Sequence, residues 1–376
     1  MKLTRVLATA AAIVVSQSAL ADIKVGVSTS LTGPGASIGL PARNAVALWP
    51  TEMGGEKIII TLLDDGGEPT AATKNAMRFI EEKYDVILGA ANTPSTIAIA
   101  QAANENKILQ LSPAPAELPK GKDYWTFRAA MHAKYYTEGL LEHMKNNGVK
   151  TLGFLGLSDA YGESSLQAFK ELAEGAGIKL VAIERFARAD NSVTGQALNV
   201  ISAKPDAIIV AAVGGGAALP QKALKERGYK GKIYHTAASV SPDFLRLAGK
   251  DADGALVSSG PEVIAEQLPD NHSAKQRAME FVKRYEDKYG AGTRTQFAAH
   301  AYDLGLVLEK AIPVALKKAK PGTPEFRVAL RDAVENYGEI ATTKGTLKYT
   351  PDDHWGFGPD ARVIVTPQGG AWKLIN

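Results

Sequence analysis

From Asp22 onward, short β-branched runs alternate with longer stretches whose apolar residues return every three to four positions. Residues 23–27, 57–63, 85–88, 108–111 and 124–127 read as strands. Helical patterns lie between them, from a Gly-rich turn through 42–52, then over 70–83 and 94–105. In the 70–83 stretch Ala72, Ala76, Phe79 and Ile80 fall on one face. This βαβα order predicts a mostly parallel sheet covered by helices on both sides.

The pattern then restarts. Helices over 133–146, 162–174, 217–227 and 242–247 alternate with strands over 151–155, 178–183, 207–213, 232–235 and 254–258. Gly148, Gly177, Gly228 and Gly249 sit just past helix ends, where a left-handed cap favours glycine. Two α/β units result. The tail is different: long helices over 274–289, 297–318 and 324–336, then late strands over 345–349 and 362–366. With so few strands, those helices have to pack on sheets already built. A chain that passes between domains more than once leaves a hinged cleft, a favoured place for a small ligand.

Ahead of Asp22, Lys2 and Arg5 precede an apolar run over 6–15 and an end reading Ala19-Leu20-Ala21. This is the order of a secretory leader cleaved after Ala21, and the run is shorter than the roughly 20 residues of a membrane span. The 43 basic and 40 acidic residues of the 376 become 41 and 40 without the leader, and no basic cluster points to nucleic acid. There is no cysteine. That excludes disulfides, thiolate metal sites, a cysteine nucleophile and a thioether lipid tether. The expected product is a monomer in the periplasm, neither tethered to nor inserted in the membrane.

Catalytic spacings are missing. No HExxH, P-loop, GxGxxG, GxSxG or EF-hand pattern occurs. Gly33-Pro34-Gly35 and Gly214-Gly215-Gly216 read as loops after strands. Asp64-Asp65 is the obvious carboxylate pair, but adjacent residues at a strand end point apart, and turn or cap hydrogen bonding is the plainer role. His132, His143, His235, His272, His300 and His354 show no ligand spacing, and His143 and His300 fall inside helical patterns, where a surface or core role outweighs ligation. No enzyme, metal or cofactor is expected.

A series of short blocks, in order along the chain, resembles the periplasmic leucine/isoleucine/valine-binding proteins, the amino-acid- and amide-type receptors of ABC importers. The blocks are Ile23-Lys24-Val25-Gly26 through Leu31-Thr32-Gly33-Pro34, Leu63-Asp64-Asp65, Asp85 to Gly89 leading into Thr93-Pro94-Ser95-Thr96, and Gln110 to Ala114. Phe127-Arg128, Asp159-Ala160-Tyr161-Gly162 and Gly345-Thr346-Leu347 complete them. The resemblance implies a type I solute-binding fold: two doubly wound α/β lobes with three crossovers. One lobe would hold 22–130 and 259–356, the other 131–258 and 357–376. A membrane permease of the importer would be the partner.

By the same resemblance, Thr93, Ser95 and the Ala114-Pro115-Ala116 loop would hold a ligand carboxylate through hydroxyl and backbone N–H groups, with Tyr161 facing it from the second lobe. Thr93 also suits the N-cap of a helix opening at Pro94, and Arg128 a bracing role. Gly214, His235, Thr236 and Ala237 would complete the site. The departures concern ligand choice. Ala237 falls where the amino-acid receptors carry an acid for the ligand ammonium. Ala116 replaces a hydroxyl residue, Ile38 an aromatic, and the aromatic near Val213 and Gly214 is missing. An ammonium buried without an ionic partner is costly. A small carboxylate with a flat body, an aromatic acid of benzoate or hydroxycinnamate type, is therefore the expected ligand. Branched-chain or other amino acids, dicarboxylates, and sensing through a membrane partner are the alternatives.

Overall fold

The computed structural model describes residues 22–375, and the leader expected over 1–21 lies outside them. Two mainly parallel sheets organise the chain. The first has the spatial order Glu52–Met53, Glu56–Asp64, Ile23–Thr29, Val86–Gly89, Leu109–Ser112, Thr126–Arg128, and only its short first strand is antiparallel. The second runs Lys179–Phe186, Thr151–Leu157, Ala207–Ala211, Lys232–His235, Leu256–Ser259, then antiparallel Val363–Gln368 and Ala371–Ile375. Apart from these antiparallel edges both sheets are wound in the same order, and in each the winding reverses beside the unit's first strand. A crevice opens at such a reversal, beyond the carboxyl ends of the strands.

Both faces of these strands are covered, which is why they read as unbroken apolar runs. Val25, Val27, Val86, Leu88, Leu109 and Leu111 share one core with Leu304, Val307, Leu308 and Ile312 of the tail helix Gln296–Leu316. Each such side chain contributes about 1.5–3 kcal/mol when fully buried. The tail therefore folds back onto the first sheet. Its close approach needs Gly305, because a Cβ there would stand 2.4 Å from the Trp49 indole nitrogen. That indole donates to the Ala301 carbonyl at 3.0 Å.

The chain passes between the sheets after Arg128, again between Ser259 and Lys275, and once more before Val363. Over the second passage Val263, Ile264, Leu268 and Ala274 pack against Val257 and Val365 of the second sheet. Packing on that lobe thus reaches past the 259 boundary read from the sequence. Lys344 is buried where the passages meet. Its Nζ donates to the Ala129 carbonyl at 3.1 Å, lies 3.5 Å from an Asp303 carboxylate oxygen, and sits 5.1 Å from the Phe357 ring centre.

Three elements differ from the sequence expectation. The first helix is Ala36–Val46, not 42–52, and Glu52 opens a short strand that turns through Gly54-Gly55 to pair with the next one. Helix Thr194–Ser202 was not expected. It is short, contains Gly195 and ends on β-branched Val200 and Ile201, so its local propensity is weak. The edge strand Ala371–Ile375 was also missed; it forms by pairing with Val363–Gln368. Among the described residues no helix is long and apolar enough to cross a membrane.

Candidate functional site

The loops at the two crevices face one another. Asp64 and Asp65 lie at the first and point to different partners. Asp64 accepts from the Leu31 and Gly66 N–H groups, both at 2.8 Å, and from the Thr32 hydroxyl at 2.6 Å. Asp65 accepts from Ser28 and Ser30 hydroxyls at 3.0 and 2.9 Å. The pair fixes the loop and leaves no carboxylate free for acid or base work.

Next to it, helix Thr93–Asn106 starts at the cleft. The cap is Asn92, not Thr93: its side chain accepts from the Ser95 N–H at 2.9 Å, and its carbonyl takes the Thr96 N–H at 3.0 Å. Pro94 has no N–H, so the Thr93 N–H and hydroxyl remain to meet an anion at the positive end of the helix. Ser95 is buried behind Thr93, and its hydroxyl has no partner among the described residues. The neighbouring loop departs from the expectation. The Ala114 N–H is taken by the Ser112 hydroxyl, the Ala116 N–H by the Ala114 carbonyl, and Pro115 has none. The loop supplies apolar wall and no backbone donor. Ala116 itself is enclosed, its carbonyl bound by the Arg128 guanidinium at 2.6 Å.

From the second lobe, helix Ala160–Leu172 brings Tyr161 to the cleft. Asp159 caps it, accepting from the Tyr161 and Gly162 N–H groups at 3.0 and 3.2 Å, and pairs with Arg188. Glycine is required at 162, where a Cβ would come within 1.8 Å of the Leu157 carbonyl oxygen. The Tyr161 hydroxyl donates to Thr236 Oγ1 at 2.9 Å. Burial pushes its pKa up to about 12, so it stays neutral.

Two compartments lie between the lobes. The larger, of about 60 Å³, is lined by Ala114, Pro115, Tyr136, Tyr161, Thr236, Ala237, Gln296, Phe297 and His300 among others. The smaller, of about 20 Å³, is bordered by Ile38, Asn92, Thr93, Arg188 and Val213. Ala91, Pro115, Tyr161, Ala238 and Phe297 border both, so the two form one chamber with a narrow end at Thr93 and Arg188. The lobes are drawn together over it. Gln296 donates across the gap to the Ala237 carbonyl, and Ser164 donates to Glu117 at 3.1 Å. A Cβ on Gly214 would stand 2.9 Å from the Ser37 hydroxyl of the opposite lobe.

The structure thus brings Thr93, Ala114, Pro115, Tyr161, Thr236 and Ala237 to the chamber, while Gly214 marks a contact between the lobes. His235 lies elsewhere. It is fully buried, with Nε2 2.7 Å from Gln221 Oε1 and its ring edge-on to Phe244, and desolvation pushes its pKa down to about 3. Seven polar lining residues were missed from sequence: Asn92, Tyr136, Thr137, Ser165, Arg188, Gln296 and His300. The signal that marks the last two is a glutamine and a histidine one turn apart among the small and aromatic residues that open helix Gln296–Leu316.

A chamber between two like-wound lobes that are drawn together over it is the architecture of a bilobed solute receptor. The family model described as periplasmic binding protein matches residues 22–364. The chain belongs to the periplasmic binding protein family. An extracellular ligand-binding receptor from Rhodopseudomonas palustris HaA2 is 44% identical, with a TM-score of 0.93, over 95% of this chain and 100% of that one. A Leu/Ile/Val-binding protein homolog 3 of Brucella melitensis biotype 1 is 24% identical over 93% of each chain. A solute-binding protein of an ABC transporter from Rhodopseudomonas palustris BisB5, in complex with 3,4-dihydroxy benzoic acid, shares the fold at a TM-score of 0.79. It is 22% identical and covers 93% of this chain and 95% of its own. This periplasmic binding protein is accordingly an extracytoplasmic solute receptor of the ABC-importer type, not an enzyme.

Proposed function

We propose that this receptor captures a small organic carboxylate with a flat apolar body, an aromatic acid of benzoate or hydroxycinnamate type, and carries it to a membrane permease. The observation that supports the reading is the charge of the chamber. Arg188, itself paired with Asp159, is the one formally charged residue among its lining residues, and no Asp or Glu is among them. The carboxylate belongs at the narrow end, against the Thr93 N–H and hydroxyl, with Arg188 nearby. The body lies between Pro115, Tyr161 and Phe297, side chains that offer apolar area and ring faces. An ammonium in the same space would have no ionic partner. A dicarboxylate would bring a second charge that no lining cation meets. The receptor acts as a monomer, exported by the leader and released after Ala21. Intact mass of periplasmic protein beginning at Asp22 checks the cleavage.

Relatives known as Leu/Ile/Val-binding proteins favour a second reading, a branched-chain amino acid. A thermal-shift panel on refolded, ligand-free protein separates the two, because a ligand bound only by the folded state raises apparent stability. Aromatic acids are expected to give the largest shifts. A leucine shift with silence from every aromatic acid overturns the aromatic reading and leaves the receptor assignment intact.

Thr93→Ala and Tyr161→Ala are expected to weaken binding about 10- to 100-fold, an effect of about 1.4–2.8 kcal/mol, with folding preserved. Titration calorimetry beside a thermal melt measures both. Unchanged affinity in both variants would show that the solute sits elsewhere.

A further inference from the structure

The wide end of the chamber is bordered by a group whose hydrogen-bonding polarity is fixed. His300 is 4% exposed and stands one helical turn from Gln296 on helix Gln296–Leu316. Its Nδ1 lies 2.7 Å from the Pro113 carbonyl oxygen. A carbonyl only accepts, so Nδ1 carries the proton. Burial, with Lys344 adding to it, holds the ring's pKa well below the usual histidine range, and the imidazole is neutral. Nε2 is then a bare acceptor, and it is buried with no partner among the described residues. Such an atom is costly to the fold until something donates to it.

Its neighbours do not fill the need. The Gln296 side-chain nitrogen is engaged across the cleft with the Ala237 carbonyl. The Lys344 ammonium is engaged with the Ala129 carbonyl and Asp303. The Tyr136 hydroxyl is buried and unpartnered on its own account, and it makes no bond to His300.

We propose that His300 is a specificity-determining residue, its Nε2 accepting a hydrogen bond from a hydroxyl that the solute carries at the end remote from its carboxylate. The inference rests on the aromatic-acid reading above and narrows it to ring-hydroxylated acids. A site that holds an unpaired polar group rejects analogues that cannot pair it, and does so more sharply than an apolar pocket rejects a change of size. A methoxy group in the same place offers only acceptor lone pairs and meets Nε2 unfavourably.

The test is titration calorimetry of the mature receptor with benzoate and cinnamate, each as the 4-hydroxy, 4-methoxy and unsubstituted acid. The wild type is expected to bind the hydroxy acid of at least one scaffold at least 10-fold tighter than its methoxy and unsubstituted partners. His300→Phe keeps a ring but removes the acceptor, and it is expected to bring the three affinities within about threefold. His300→Gln restores an acceptor and is expected to recover part of the preference. It also serves if the phenylalanine variant fails to fold. Equal affinities in the wild type, or an undiminished hydroxyl preference in His300→Phe, overturn the proposal while leaving the aromatic reading in place. Binding of none of the six acids overturns the aromatic reading itself, and the hydroxyl preference with it.

Discussion

Replacing Lys344 with methionine is expected to destabilise the receptor by about 3–5 kcal/mol at neutral pH, the cost typical of removing one partner from a buried ion pair. Lys344 is 1% exposed and Asp303 is fully buried beside it. Methionine replaces most of the stem, so the loss is chiefly that of the charge and of the bond to the Ala129 carbonyl. Asp303 keeps the Thr343 N–H and hydroxyl at 2.9 and 2.8 Å but loses its one close cation. Desolvation already pushes the Asp303 pKa up against the pull of Lys344. Without that pull the folded state binds its proton more firmly than the unfolded chain does. Stability of the variant therefore falls as pH rises. The deficit should be smaller at pH 5 than at pH 8. Urea unfolding at both values measures it, and a loss below about 1 kcal/mol at pH 8 would show that Lys344 does not join the passages between the lobes.

Glu262 gives the second large effect, with the opposite outcome. Its side chain is buried, neither carboxylate oxygen has a hydrogen-bond partner among the described residues, and Lys344 acts on it only at a distance. Desolvation raises its pKa from the ordinary 4.5 to about 7. A raised folded-state value means that this group's contribution is full below pH 4.5 and is lost as pH climbs through 7. The difference amounts to about 3 kcal/mol. Glu262→Gln keeps the shape and removes the titration. The variant is expected to match the wild type at pH 4.5, to exceed it by up to about 3 kcal/mol at pH 8, and to show a flatter stability curve between. Parallel curves for the two proteins would place the Glu262 carboxyl in contact with water.

The two α/β units were legible because each repeats a strand and a helix with its own period, the packing of the long tail helices because too few strands accompany them, and the doubly wound order only through the family resemblance. What escaped was set by tertiary pairing: the Ala371–Ile375 edge, the weak Thr194–Ser202 helix, and the packing of Val263 to Ala274 on the second lobe. The chamber was partly legible. Thr93 and Tyr161 follow strand ends at the two crevices, where the fold places a ligand. The role of the Ala114–Ala116 loop was misjudged because sequence does not show which N–H groups neighbouring atoms have already taken. His235 follows a strand as Tyr161 does, yet its ring turns inward to Gln221. His300 lay hidden in a helical pattern, where a core role is the ordinary reading, and only the unpartnered Nε2 distinguishes it.

The most direct test of the account is a crystal structure of the refolded receptor with the tightest binder of the aromatic panel. One solute should lie between the closed lobes. Its carboxylate should meet the Thr93 hydroxyl and N–H beside Arg188, and its ring hydroxyl should reach His300 Nε2. A solute bound outside the chamber, or one whose carboxylate points at His300 with nothing at Thr93, would contradict it.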